Sequence, residues 1–343
     1  MTTLRIDRAD GILTVQDMGR EGYLGQGLSR GGAMDRLALI EAAALLDLPA
    51  PLAGIEMAGA GGLFSVTAPT RVALTGAAML ATLDDAPLRW QASHLILPGQ
   101  KLRIGAVQSG VYGYLTPAGG IDTPPMLGSR AAHLSAGLGA FLTAGDTLPC
   151  APDPDPDAPP RVIEVAGRFN GGTLRVADGP QTGLFDDDVL QAFYDTPFTR
   201  APRGNRQGIQ LDAKPRFTSD HAAGLASDMI GPGDLQMTGD GLPYVLMAEC
   251  QTMGGYPRIG QIIPADLPRM AQAAPGAMLR FQRLTQDQAD ALWRSDADLL
   301  HEAAARCHNL IRDPSTIADL LSYQLVGGVT AGRELEECRC RSI

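Results

Sequence analysis

Tyr112-Gly-Tyr-Leu-Thr-Pro-Ala-Gly-Gly120, followed by Thr123-Pro124, reads as an alternating strand that runs into a paired-glycine turn. Tyr244-Val-Leu-Met-Ala-Glu-Cys-Gln-Thr-Met-Gly-Gly-Tyr-Pro257 repeats that order far downstream. Aromatic and aliphatic runs stopped by glycine and proline are the grammar of strands and turns. Their recurrence in both halves makes the chain mainly β. Pro98-Gly99-Gln-Lys-Leu-Arg-Ile104 and Pro275-Gly276-Ala-Met-Leu-Arg-Phe281 make a second such pair. The pattern alone fits a duplicated barrel and fits shared turn chemistry equally well.

Further strand runs stand at Ile12–Val15, Arg71–Leu74, Lys101–Val107, Arg161–Val165, Leu174–Val176 and Leu279–Gln282. Helices are fewer. Asp35 can cap one through Leu48, stopped by Pro49, and Asp186 a shorter one through Phe193. The alternating Pro and Asp of Ala151–Pro160 favour extended, solvated backbone. That stretch divides residues 1–150, an N-terminal β-rich domain, from a second β-barrel domain at 161–283, with 151–160 as linker. Residues 284–343 read as a helical extension. Thr285 and Gln288 form a capping box for a helix to about Leu310, and Asp313-Pro314 opens another with a stripe of Ile317, Leu320, Leu321 and Leu325.

A net charge of −10 over 343 residues argues against nucleic acid or an anionic membrane as partner. Only Lys101 and Lys214 are lysines, neither in a P-loop nor in a Met-Lys-Met setting, so neither a P-loop nucleotide site nor covalent biotin is expected. The histidines His94, His133, His221, His301 and His308 are dispersed, so no metal site is expected. Ser135 lacks the preceding glycine of a nucleophile elbow. Five scattered cysteines, Cys338 and Cys340 among them, and the absence of an apolar leader or membrane-length run lead to an expectation of the cytoplasm.

The candidate chemistry sits in glycine-rich loops carrying polar side chains. Gly31-Gly32-Ala33-Met34-Asp35, Ala118-Gly119-Gly120-Ile121-Asp122 and Gln251-Thr252-Met253-Gly254-Gly255-Tyr256-Pro257 each pair bare backbone N–H groups with a fixed acceptor. Gln16, Asp17 and Arg20 join them at the end of a strand; Asp17 and Arg20 can equally form a local ion pair. Asp35 can serve as a helix cap, a ligand, or both.

Together these residues resemble the C-type component of the prokaryotic 5-oxoprolinase complex. That family also goes under the names allophanate hydrolase subunit 2, KipA-like protein and biotin-dependent carboxyltransferase. The resemblance rests on Gln16-Asp17-x-Gly19-Arg20-x-Gly22-Tyr23, Gly32-Ala-Met-Asp35, Ala118-Gly-Gly-Ile-Asp122, Pro125-x-Leu127-Gly-Ser-Arg130, Asn205-Arg206-x-Gly208 and Gln251-Thr-x-Gly-Gly-Tyr-Pro257. It covers about residues 12–283 and extends to part of the urea carboxylase carboxyltransferase domain. It implies two tandem cyclophilin-like β-barrel domains and a B-type (KipI-like) partner. A third component, of the LamB/YcsF type, would complete an ATP-dependent cleavage of 5-oxo-L-proline to L-glutamate. Carboxybiotin would enter only in the carboxyltransferase alternative, and a KipA-like regulatory role is a third. On this resemblance Asp35, Asp122 and Gln251 are the candidate catalytic groups. Gln16, Asp17, Arg20, Gly32, Met34, Gly119, Gly120, Arg130, Arg206, Thr252, Gly254, Gly255 and Tyr256 are the candidate binding groups. The chain departs from the family's usual pattern at Ala43, where Asn is usual, and near Ala140, where Arg is usual.

Overall fold

The computed structural model describes residues 2–219 and 224–311; His221, the expected helix after Asp313, and Cys338 and Cys340 lie outside them. The chain is mainly β. Its first sheet contains β1 (Thr2–Ala9), β2 (Ile12–Gln16), β3 (Gly54–Ala58), β4 (Ala60–Val66), β5 (Thr70–Leu83), β6 (Ala86–Pro87), β7 (Ala92–Ile96), β8 (Leu102–Pro117), β9 (Thr147–Cys150) and β10 (Arg161–Ile163). A late strand, Cys307–Asn309, completes it. The long β5 and β8 pair from Val72↔Pro117 to Leu83↔Leu102 and form its spine. Lys101–Val107 and Tyr112–Thr116, read as two runs, fall on one continuous strand.

The second sheet closes into a barrel of seven strands: β11 (Gly172–Ala177), β12 (Phe198–Gly204), β13 (Gly208–Asp212), Asp234–Met237, Pro243–Leu246, Arg258–Ile262 and Met278–Leu284. Its parallel seam joins β11 to Met278–Leu284 over six residue pairs. The sparse aromatics gather here: Phe193 stacks on Phe281 at 5.0 Å and meets Phe198 at 5.0 Å and Phe217 at 5.3 Å. Barrel core residues also pack with Met34, Leu39, Tyr112 and Tyr114 of the first unit in one apolar cluster.

Three expectations change. Arg161–Ile163 does not begin the second barrel: it pairs with Ala92 of β7 and with Cys307–Asn309, so it extends the first sheet. The Pro/Asp stretch is anchored rather than freely solvated, because Arg71 clasps Asp153 through Nε (2.8 Å) and Nη2 (2.6 Å). The single helix expected from Thr285 to Leu310 is two short ones, Gln286–Ala291 and Asp296–Ala305, then a strand. Its physical cause is a second capping box, Ser295 with Asp298, which starts a new helix. Helix α1 (Arg36–Leu46) forms on its Asp35 cap but stops two residues short of Leu48, because Asp47 takes the left-handed conformation (φ 58°) and ends it ahead of Pro49.

Candidate functional site

The junction between the two units is built on Asp35. Its Oδ1 accepts the Ala38 N–H at 3.3 Å, capping α1. Its Oδ2 accepts from Arg168 Nε at 2.7 Å and Gln272 Nε2 at 2.8 Å, and the side chain is fully buried. Arg168 then forks onto Glu41 at 2.8 and 2.7 Å. Gln272, from the second unit, accepts the Val111 and Tyr112 N–H groups at 2.9 and 3.0 Å. The Asp35 carboxylate is thus committed to holding helix, sheet and barrel together.

Arg206, in the turn between β12 and β13, makes a second brace. It donates to Glu249, to Glu56, and to the Gly32 carbonyl at 2.6 Å. Glu56 accepts the Met34 N–H at 2.8 Å and the Tyr114 hydroxyl at 2.6 Å. Burial, with Glu56 beside it, pushes Tyr114 well above the ordinary tyrosine range and keeps it a donor. The Gly31 N–H donates to the Ala248 carbonyl at 3.0 Å, so the first glycine loop is sewn to the strand end that precedes Gln251.

Asp17 does not pair with Arg20. Its carboxylate accepts from the Gly19 N–H (2.8 Å), the Ser129 hydroxyl (2.6 Å) and the Arg130 N–H (2.7 Å), because the loop at 125–130 folds over it. Arg20 is 1% exposed and donates to the Ala131 carbonyl through Nη2, while Nε and Nη1 lack a hydrogen-bond partner among the described residues. Burial lowers its pKa. Gln16 is buried against Thr14 and the Ala132 carbonyl. Arg130 and Asp122 pair at 2.6 Å, each about one-third exposed.

Gly119 and Gly120 stand apart from this cluster. A Cβ on Gly119 would lie 1.8 Å from the Ala151 carbonyl oxygen, and Gly120 (φ 68°) packs on Leu52. Close backbone packing explains this glycine pair.

Gln251 faces a different space. It lines an open depression of about 410 Å³ on the barrel with Asn205, Gln236, Tyr244 and Arg203. Thr252 beside it is buried; Met253–Gly254 pairs with Asp228–Met229, and Tyr256 is half exposed. Neither Gly254 nor Gly255 has a left-handed φ. A larger cavity of about 560 Å³ opens at the junction, between Met34, Arg36, Leu37, Leu267, Trp293 and Asp296.

Apart from Gly119 and Gly120, the candidate residues therefore fall into two groups. Gln16, Asp17, Arg20, Gly32, Met34, Asp35, Asp122, Arg130 and Arg206 belong to the junction and its covering loop; Gln251, Thr252, Gly254, Gly255 and Tyr256 belong to the barrel side. Reading the sequence missed Glu41, Glu56, Arg168, Glu249 and Gln272. Glu41 and Glu56 carried a signal: each is one acid inside an otherwise apolar run, and such an acid needs a buried cation.

Residues 26–283 match the family model described as carboxyltransferase domain, subdomain A and B. The chain is 34% identical to the C-type component of 5-oxoprolinase from Escherichia coli (strain K12) over 316 residues, 89% of this chain and 99% of that one. It is 29% identical to the same component from Haemophilus influenzae, over 82% of this chain and 92% of that one. In fold it resembles the Kluyveromyces lactis urea carboxylase, with TM-score 0.79 and 23% identity, covering 88% of this chain and 29% of that one. With a family match across most of its length and a relative matched almost end to end, the chain belongs to the carboxyltransferase domain A and B family, together with the C-type components of 5-oxoprolinase.

Proposed function

We propose that this chain is one component of an ATP-dependent 5-oxoprolinase that opens 5-oxo-L-proline to L-glutamate. The near end-to-end relationship to the E. coli 5-oxoprolinase component supports that reaction. One observation carries the substrate class: Gln251, Gln236 and Asn205, three residues with carboxamide side chains, line the barrel depression together with Arg203. A carboxamide presents a donor and an acceptor side by side and so complements a lactam's N–H and C=O, while an arginine suits the substrate carboxylate. A space of about 410 Å³ suits a ligand of that small size. In this reading the chain works with a B-type (KipI-like) partner and one of the LamB/YcsF type; its own sequence contains no P-loop, so no P-loop nucleotide site is assigned to it.

Co-expression of the three chains, followed by an assay of ATP-dependent glutamate release from 5-oxoproline, tests the reading. Release only when this chain is present is the expected result; release without it overturns the proposal. The family description favours one second reading, a carboxyltransferase acting on a urea-like amide with carboxybiotin as donor. Carboxylation of urea on adding a biotin carboxylase and its carrier, with no glutamate release, would select it.

A further inference from the structure

Ser135 carries no role in the site described above, yet its surroundings are those of an activated hydroxyl. It sits in a single 3-10 turn, Leu134–Ala136, closed by Gly137 at φ 70°. The residue is exposed, with its hydroxyl contacts partly buried. Its Oγ lies 3.1 Å from His133 Nδ1, and its own N–H donates to Glu249 Oε2 at 3.2 Å. His133 is 3% exposed, and its other nitrogen, Nε2, is fixed by the Ser29 hydroxyl at 2.9 Å. Glu249 Oε2 stands 3.9 Å from Nδ1. When Nε2–H donates to Ser29, Nδ1 is free to accept the Ser135 O–H at 3.1 Å; the hydroxyl also stands 3.4 Å from the Glu249 carbonyl oxygen and from Glu249 Oε2. A nucleophile, a base and a group orienting that base are thus in reach of one another.

We infer that Ser135 is a nucleophile, activated by His133 and steadied by Ser29 and Glu249, that accepts an acyl group from a small activated ester or amide. Ser135 Oγ bonds to the carbonyl carbon as its proton passes to Nδ1. The tetrahedral adduct collapses, the bond to the leaving group breaks, and that group takes the proton from Nδ1. Water repeats the sequence on the acyl-serine, releasing the acid and restoring the hydroxyl. Glu249 stabilises the transient imidazolium. Burial lowers the His133 pKa, so the resting ring is neutral and able to accept; Glu249 raises it, while Arg20 and Arg206 add to the lowering. This activity is independent of the oxoprolinase reading.

The test uses the purified full chain and an alkyl fluorophosphonate, read by intact mass and peptide mapping. One adduct on Ser135 is expected, absent in Ser135→Ala and formed about 10²-fold more slowly in His133→Asn, the scale of a lost general base. Ser135→Cys supplies a measurement that leaves the histidine in place. Its alkylation by iodoacetamide should titrate well below the value of about 8.5 for a free thiol. A serine that merely pins the turn gives no Ser135 adduct and a Ser135→Cys thiol that titrates normally, and either result overturns the inference. Glutamate release in the assembled complex is measured separately, so failure of one proposal leaves the other standing.

Discussion

At the scale of single residues, the paired glycines of the Gln251 loop separate into two roles. A Cβ on Gly254 would lie 2.6 Å from Gln236 Nε2 and 2.8 Å from Ile230 Cδ1, whereas on Gly255 its nearest neighbour would be Ser227 Oγ at 3.6 Å. Gly254→Ala should cost about 1–3 kcal/mol through crowding. Gly255→Ala should stay within about 0.5 kcal/mol of the parent. If the Gly255 N–H meets a developing oxyanion, its alanine variant should lose turnover without losing Tm. Thermal melts, with turnover per folded molecule in the assembled complex, check both, and wild-type turnover in Gly255→Ala removes it from the site. His133 makes a pH prediction. Burial depresses its folded pKa below the ordinary 6.5, so its contribution to stability is present above that value and is lost as pH falls through the folded pKa. Tm measured from pH 7 downward should drop in the parent below the ordinary histidine range, and His133→Asn should flatten that part of the curve.

At the scale of elements, helix α1 was legible because its cap, apolar face and terminating proline all agree locally. The strand runs were legible for the same reason. What the sequence hid is pairing over long distance. Nothing near Arg161 announces Asn309 as its partner, and nothing near Gln272 announces the amides of Val111 and Tyr112. Site residues divide along the same line: Asp35 as a cap is a local fact, while its ion pair with Arg168, 133 positions away, is not. The second capping box, Ser295 with Asp298, is equally local, but the expectation of one helix from Thr285 passes over it. Ser295 accepts the Asp298 N–H at 3.1 Å, and Arg36 reaches Asp296 at 2.8 Å, so this cap also places the second short helix against α1. Ser295→Ala should cost about 1 kcal/mol, measurable by urea denaturation.

For the whole molecule, the two units share a buried polar seam beside their apolar contact. Arg168 holds two carboxylates, Asp35 at 0% and Glu41 at 3% exposure. Arg168→Ala leaves both acids without their cation, and the expected loss is about 3–5 kcal/mol. A single cooperative unfolding transition with a lowered midpoint is the expected outcome. Two separate transitions would mean that Arg168 is what couples the units.

Cys307–Asn309 lies against Arg161–Ile163, so the first sheet gains its edge from nearly the last residues described. The ribosome therefore finishes the barrel before it releases the strand that covers the edge of the first sheet. N-terminal units ordinarily fold first during synthesis, at about 5–20 residues per second. Here the nascent N-terminal sheet keeps the open backbone of Arg161–Ile163 exposed while roughly 140 further residues are made, several seconds at that rate. An uncovered strand edge is a template for pairing with other chains. Expression yield should therefore depend on how quickly the C-terminal third is translated, and stalled chains ending before Cys307 should associate with one another while the released full-length chain does not.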